Sequence, residues 1–245
     1  MSEVSKIALI TGANKGIGFE IARQLGAQGI TILAGVRDQA RGEAAVQQLR
    51  TEAIDATAVH LDVTNQATID AAAAFIEQAY GKLDILVNNA GISVREGSTP
   101  PSELALEAVR TTFATNVFGV FAVTKAMLPL LRRSGAGRIV NLSSEVGSLS
   151  INSDSTSFAA HLPPTLAYNA SKTALNALTV FFARELQNTP IKVNSVSPGF
   201  VATDLNGHSG FLTPEQGAKV PVAFATLPVD GPTGGFFGEH GVIVW

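Results

Sequence analysis

Tyr168 and Lys172 stand four residues apart in Tyr168-Asn169-Ala170-Ser171-Lys172, and the chain has only two tyrosines. In a helix that spacing brings both side chains to one face, a turn apart. A fixed ammonium beside a phenol favours phenolate and lowers the phenol pKa from about 10 toward neutral. The pair therefore predicts a group that gives a proton to a carbonyl oxygen or takes it back. An exposed helix with an incidental Tyr and Lys is the alternative, and other residues weigh against it. Asn88-Asn89-Ala90-Gly91 ends one strand-like run, and Ser143-Ser144 ends another, Gly137-Arg138-Ile139-Val140-Asn141-Leu142. Asn116 interrupts an apolar helical run, where an amide is costly unless hydrogen-bonded. A satisfied helix kink is the competing reading there.

A second constellation lies near the start. Thr11-Gly12-Ala13-Asn14-Lys15-Gly16-Ile17-Gly18 follows the first strand-like run and opens a helical one. Glycines permit a tight turn and close backbone approach. The helix N-terminus then offers free N–H groups and a positive dipole end to a pyrophosphate. A Gly-rich turn by itself also serves as a plain connection; the strand–turn–helix context favours binding. The spacing is Gly-x-x-x-Gly-x-Gly, which differs from the commonest dinucleotide pattern and from the ATP-cleaving P-loop.

The elements that must position these groups alternate. Strand-like runs are read at Lys6–Ile10, Ile30–Val36, Thr57–Leu61, Leu83–Val87, Arg138–Leu142 and Lys192–Val196, with a short final one within Gly241–Trp245. Helical spacing fills the gaps, including Gly16–Gln28 and Arg41–Arg50. This rhythm predicts right-handed crossovers and one doubly wound α/β domain over 1–245, a parallel sheet with helices on both faces. Glu145–Pro164 and Phe200–Pro214 break the pattern just after strands, where open α/β sheets bind ligands.

Composition closes other routes. The 245 residues are 46% hydrophobic and 15% charged, as in a compact globular chain. Seventeen basic against twenty acidic residues leave a net charge of −3, so no basic field draws nucleic acid or anionic lipid. The absence of Cys excludes a disulfide framework, a thiolate metal site and a cysteine nucleophile. His60, His161, His208 and His240 form no zinc pattern, and no Gly-x-Ser-x-Gly elbow exists. Met1 to Lys6 lacks the apolar core of a secretory signal. The apolar stretch near Ala114–Val123 is broken by Asn116 and Gly119 and is expected to be too short for a bilayer. A soluble, cytoplasmic protein without metal, nucleic acid or membrane partner is expected.

Together, Thr-Gly-x-x-x-Gly-x-Gly, Asn-Asn-Ala-Gly and Tyr-x-x-x-Lys resemble the short-chain dehydrogenase/reductase family, in its order and over essentially the whole chain. Val36-Arg37-Asp38, the stretch from Arg41 to Leu49 and the Gly-Phe-Phe ending before a terminal Trp are similar to its carbonyl reductases. The resemblance implies a Rossmann-like sheet of about seven strands. It implies Tyr168 as acid/base, Lys172 as the group that lowers its pKa and holds the nicotinamide ribose, and Ser144, in preference to Ser143, on the substrate oxygen. Asn116 would hold a water linking Lys172 to solvent. The cofactor set implied is Gly12, Asn14, Lys15, Gly16, Ile17, Gly18, Asp62 and Val63 (adenine side), Asn89, Ala90, Gly91, Tyr168, Lys172, and Pro198, Gly199, Val201 and Thr203 near the carboxamide.

An NAD enzyme of this architecture ends its second strand with an acid on the ribose 2′-OH. Here Arg37 stands there, with Arg41 a turn on and Lys15 in the phosphate turn. Three converging cations suit a 2′-phosphate, with Asp38 pointing away or paired with Arg41. NADPH is the expected cofactor. Phe200, Leu205, Phe211 and Leu212, spaced by Gly207 and Gly210, read as an apolar lid over 200–214, hence a small apolar carbonyl substrate. The expected activity is reduction of a ketone, aldehyde or quinone; the alternatives are a 3-oxoacyl-thioester reductase or a catalytically silent NADPH sensor. Phe181 and Phe182 suggest core or a subunit interface, and a homo-oligomer (dimer or tetramer) is expected. Twenty-three residues separate Ser144 from Tyr168, more than in most short family members.

Overall fold

Strand β1 (Ile7–Thr11) is buried along its whole length, which only a central strand covered on both faces can be. The computed structural model describes residues 5–94, 99–162 and 165–245. Arg95 and Glu96 lie outside the described residues, as do Pro163 and Pro164.

From β1 the chain runs through α1 (Gly16–Gly26), β2 (Thr31–Val36), α2 (Gln39–Thr51), β3 (Ala56–His60), α3 (Gln66–Tyr80) and β4 (Ile85–Asn88). Then follow α4 (Leu106–Phe113), a π-helical stretch (Ala114–Gly119), α5 (Val120–Arg132), β5 (Arg138–Leu142), α6 (Leu149–Ser153), α7 (Leu166–Glu185), β6 (Lys192–Val196), α8 (Pro214–Ala225), β7 (Phe236–Gly238) and β8 (Gly241–Val242). The eight strands lie in the order β3-β2-β1-β4-β5-β6-β7-β8. All pair parallel except the last, where β8 turns back along β7. Phe236–Gly238 is the strand that sequence reading missed, being too short to show a period.

Alternation along β1 divides the interior. Ala8 and Ile10 face α1, α2 and α8 through Ile21, Leu25, Val46, Leu49 and Val222. Ile7 and Leu9 face α3, α5 and α7 through Ile69, Ile76, Val123, Met127 and Ala183. Each layer buries apolar area at roughly 25 cal/mol per Å², which holds the sheet between two helical sheets of cover.

One expectation needs correcting. Asn116 and Gly119 do not break the apolar run: α4, the π-helical stretch and α5 join into one helix, Leu106–Arg132, long and apolar enough by composition to cross a membrane. Half of that apolar window is buried inside the protein, where α4 and α5 pack on α7 and α3. The π-helical turn absorbs Asn116 without ending the helix.

Candidate active site

The strand order reverses between β1 and β4, the place where open α/β sheets bind ligands at the carboxyl ends of their strands. Two side chains tie the turns after these strands together. The Thr11 hydroxyl accepts from the backbone N–H of Asn89 and of Ala90, each at 3.0 Å. Asn89 Nδ2 donates to Thr11 O at 2.8 Å and Gly12 O at 3.2 Å. The Asn89 amide nitrogen thus fastens the turn.

That fastening explains the glycines. A Cβ on Gly18 would lie 2.4 Å from both Asn89 Nδ2 and Gly12 O, a distance no side chain tolerates. Gly16 takes φ +58°, and within 4 Å a Cβ there would meet only Thr203 Cγ2, at 3.7 Å. Open space thus remains over the N-terminus of α1, as a pyrophosphate cradle requires. Asn14 and Ile17 are partly exposed beside it, and Ile17 also leans on the core.

The adenosine side is lined with charges. The Lys15 ammonium pairs with Asp204 on the segment after β6. Arg41 Nε pairs with Asp38 at 3.5 Å, and Asp38 caps α2 by accepting from Arg41 N at 3.1 Å. Arg37 is exposed and has no hydrogen bond or ion pair among the described residues. Burial pushes the Asp62 carboxyl up, but hydrogen bonds from Thr64 N and Oγ1, with the Arg37 and His60 charges, hold it below the usual range. Val63 is buried, its carbonyl packed so close to Gly119 that a Cβ there would approach it to 2.8 Å.

Tyr168 and Lys172 share one face of α7. The Ser144 side chain lies close enough to the Tyr168 phenol to lower its pKa. Ser143, one residue earlier, is buried in the sheet with its hydroxyl unpartnered among the described residues. Lys172 Nζ donates to Leu142 O at 2.7 Å and lies over the Tyr168 ring. The expected neutral-range phenol is not what this arrangement produces. Burial pushes Tyr168 up to about 12, with the Ser144 side chain pulling the other way. Burial likewise pushes Lys172 down to about 8.

Asn116 is 1% exposed and fully engaged. Its Oδ1 accepts from Ile92 N, while Nδ2 donates to Ile92 O and to Ser171 Oγ. Ser171 in turn donates to Tyr168 O at 2.7 Å. Ser171 and Thr11 are the site residues that sequence reasoning passed over, although both stood inside quoted motifs. A Cβ on Gly91 would come within 3.4 Å of Asn116 Oδ1 and 3.6 Å of Lys172 Nζ. Gly91 thus lies next to both Asn116 and Lys172.

The segment after β6 forms the far wall. Gly199 takes φ +79°, Val201 is buried and bridges Leu212, and Pro198 and Thr203 are partly exposed. Phe200 and Phe211 meet edge to face at 5.9 Å, and Phe211 is 79% exposed. Of the two glycines read as hinges, Gly207 is left-handed with open space around it. Gly210 is a close-packing glycine, with a Cβ there only 2.2 Å from Val201 C.

Residues 6–210 match the family model described as short chain dehydrogenase. Carbonyl reductase [NADPH] 1 of Bos taurus is 36% identical, with the whole of both chains covered. The solved salutaridine reductase from Papaver somniferum superimposes with TM-score 0.81 at 34% identity, covering 96% of this chain and 99% of that one. NADPH-bound carbonyl reductase from chicken fatty liver superimposes with TM-score 0.86 at 27% identity, covering 99% and 100%.

Proposed function

The chain belongs to the short chain dehydrogenase family, an oxidoreductase family, and from that premise we propose that it is an NADPH-dependent reductase of small apolar carbonyl compounds. The observation that carries the reading is the assembly of Ser144, Tyr168 and Lys172 next to Gly91. Gly12, Gly16 and Gly18 with the N-terminus of α1 would hold the pyrophosphate, Arg37 with Lys15 the 2′-phosphate, and Lys172 the nicotinamide ribose. Asp62 and Val63 would border the adenine, and Pro198, Gly199, Val201 and Thr203 the carboxamide. NADPH, when bound, supplies the hydride.

The chain's own residues do the rest. Ser144 donates a hydrogen bond to the substrate oxygen and so orients the carbonyl. Tyr168 gives its phenolic proton to that oxygen as negative charge gathers on it. A hydroxyl pushed up to about 12 is fully protonated at neutral pH, the state a donor needs. The Lys172 ammonium over the ring stabilises the phenolate left behind. Asn116 and Ser171 hold α7 against the turn after β4, keeping Tyr168 in place. Phe200 and Phe211 favour an apolar substrate beneath the lid. Exposed Phe118, Phe121 and Phe181 on the α5–α7 side support association with a second copy, and the cytoplasm is the compartment this reading assigns.

Loss of NADPH absorbance against diketones, quinones and acetoacetyl thioesters tests the proposal. Turnover of ketones or quinones is expected. Turnover confined to the thioesters points to the oxoacyl reductase, and NADPH binding without any turnover points to the sensor.

A further inference from the structure

The segment 200–214 touches the phosphate turn at two points. Thr203 Cγ2 packs over Gly16, and Asp204 Oδ2 pairs with the Lys15 ammonium. Asp204 is presented from a braced turn. Thr203 and Asn206 cap the one-turn helix Asp204–Asn206 reciprocally, Asn206 Nδ2 donates to Val201 O at 2.9 Å, and His208 Nε2 holds Asp204 Oδ1 at 2.7 Å. The two partners are 58% and 57% exposed, so Lys15 is free to leave at the small cost of a surface ion pair. Asp204 would still keep His208.

Arg41 also has a carboxylate partner, but Asp38 lies three residues away on the same element. Asp204 is 189 residues from Lys15. Exchange at Lys15 therefore moves a segment, where exchange at Arg41 moves a side chain. A phosphate monoester carries more charge than a carboxylate and accepts more hydrogen bonds, so it wins the ammonium when both are in reach.

We infer that Asp204 is a cofactor-specificity residue: it competes with the 2′-phosphate for Lys15, so that a phosphorylated dinucleotide unclasps the segment 200–214 from the phosphate turn. An unphosphorylated dinucleotide leaves the clasp shut, because it brings nothing with a differential claim on Lys15. The inference rests on the reading that Lys15 meets the 2′-phosphate.

Calorimetric titration of Asp204→Asn, Lys15→Ala and the double variant with NADPH and NADH tests it, together with limited proteolysis within 200–214. Asp204→Asn keeps the size and the contact with His208 and removes the competing charge. Its NADPH Kd is expected to fall about two- to fivefold, the range open to a surface ion pair, with the NADH Kd unchanged. Lys15→Ala should weaken NADPH binding and erase the effect of Asp204→Asn. Cleavage within 200–214 should rise in the wild type with NADPH but not with NADH, and be high in Asp204→Asn without cofactor. Equal changes for both dinucleotides, or none, in Asp204→Asn overturn the inference if Lys15→Ala still weakens NADPH. A Lys15→Ala protein that binds NADPH normally overturns the underlying reading of Lys15 and the inference with it.

Discussion

Lys172 Nζ sits 5.5 Å from the centroid of the Tyr168 ring and is anchored by the Leu142 carbonyl. The cation faces the π-cloud, and no hydrogen bond joins it to the phenol among the described residues. Burial pushes the Tyr168 phenol up to about 12, so it is held neutral, and pushes Lys172 down to about 8, so the ammonium is held at a cost.

Tyr168→Phe removes the proton donor and leaves the ring in place. Carbonyl reduction should fall by several powers of ten while the Kd for NADPH stays within about twofold. Single-turnover rates and calorimetry separate the two. Near wild-type turnover in this variant would show that the proton comes from elsewhere.

The reverse reaction needs the phenolate. With Tyr168 pushed up to about 12, its ionised fraction grows tenfold per pH unit across the neutral and mildly alkaline range. Alcohol oxidation should therefore climb steadily through about pH 9, while reduction stays flat between about pH 6 and 8. An oxidation profile already level at neutrality would mean that the loaded enzyme ionises Tyr168 far more readily.

Lys172 carries the opposite lesson for stability. Its pKa falls on folding, from 10.5 to about 8. Below about pH 8 both states hold the proton and the native state bears the full desolvation cost; between there and 10.5 only the unfolded chain is protonated, so the cost fades as pH rises. Lys172→Met should stabilise the fold at pH 7 by about 1–3 kcal/mol and abolish activity, with the gain shrinking toward pH 10. Urea unfolding at the two pH values measures it. A destabilised variant at pH 7 would show that the bond to Leu142 O outweighs the burial of charge.

Arg37 stands at the end of β2 with its guanidinium uncommitted among the described residues. Arg37→Ala should remove a charge-assisted contact of roughly 1.5–3 kcal/mol, raising the NADPH KM by one to two powers of ten with NADH nearly untouched. Parallel losses with both dinucleotides would place the 2′-phosphate elsewhere.

Gly18→Ala puts a methyl group 2.4 Å from Asn89 Nδ2 and Gly12 O. The tie between β1 and β4 must open, so both dinucleotides should bind at least tenfold more weakly and stability should drop by about 1–3 kcal/mol. Unchanged melting and binding would mean that α1 shifts to make room.

Sequence by itself determined the elements and their chemistry in outline. The alternation of apolar runs and helical periods predicts the doubly wound sheet, and the bounds of β5 and β6 agree with it residue for residue, with β-branched Ile139, Val140, Val193 and Val196 carrying the strand signal between polar residues. The four-residue spacing likewise places Tyr168 and Lys172 on one face of α7, since helix geometry is local. What the tertiary structure decided are the partners: Leu142 for Lys172 thirty residues back, Thr11 for Asn89, Asp204 for Lys15. It also decided the pKa shifts, because desolvation depends on everything packed around a group, and spacing along the chain carries no record of that.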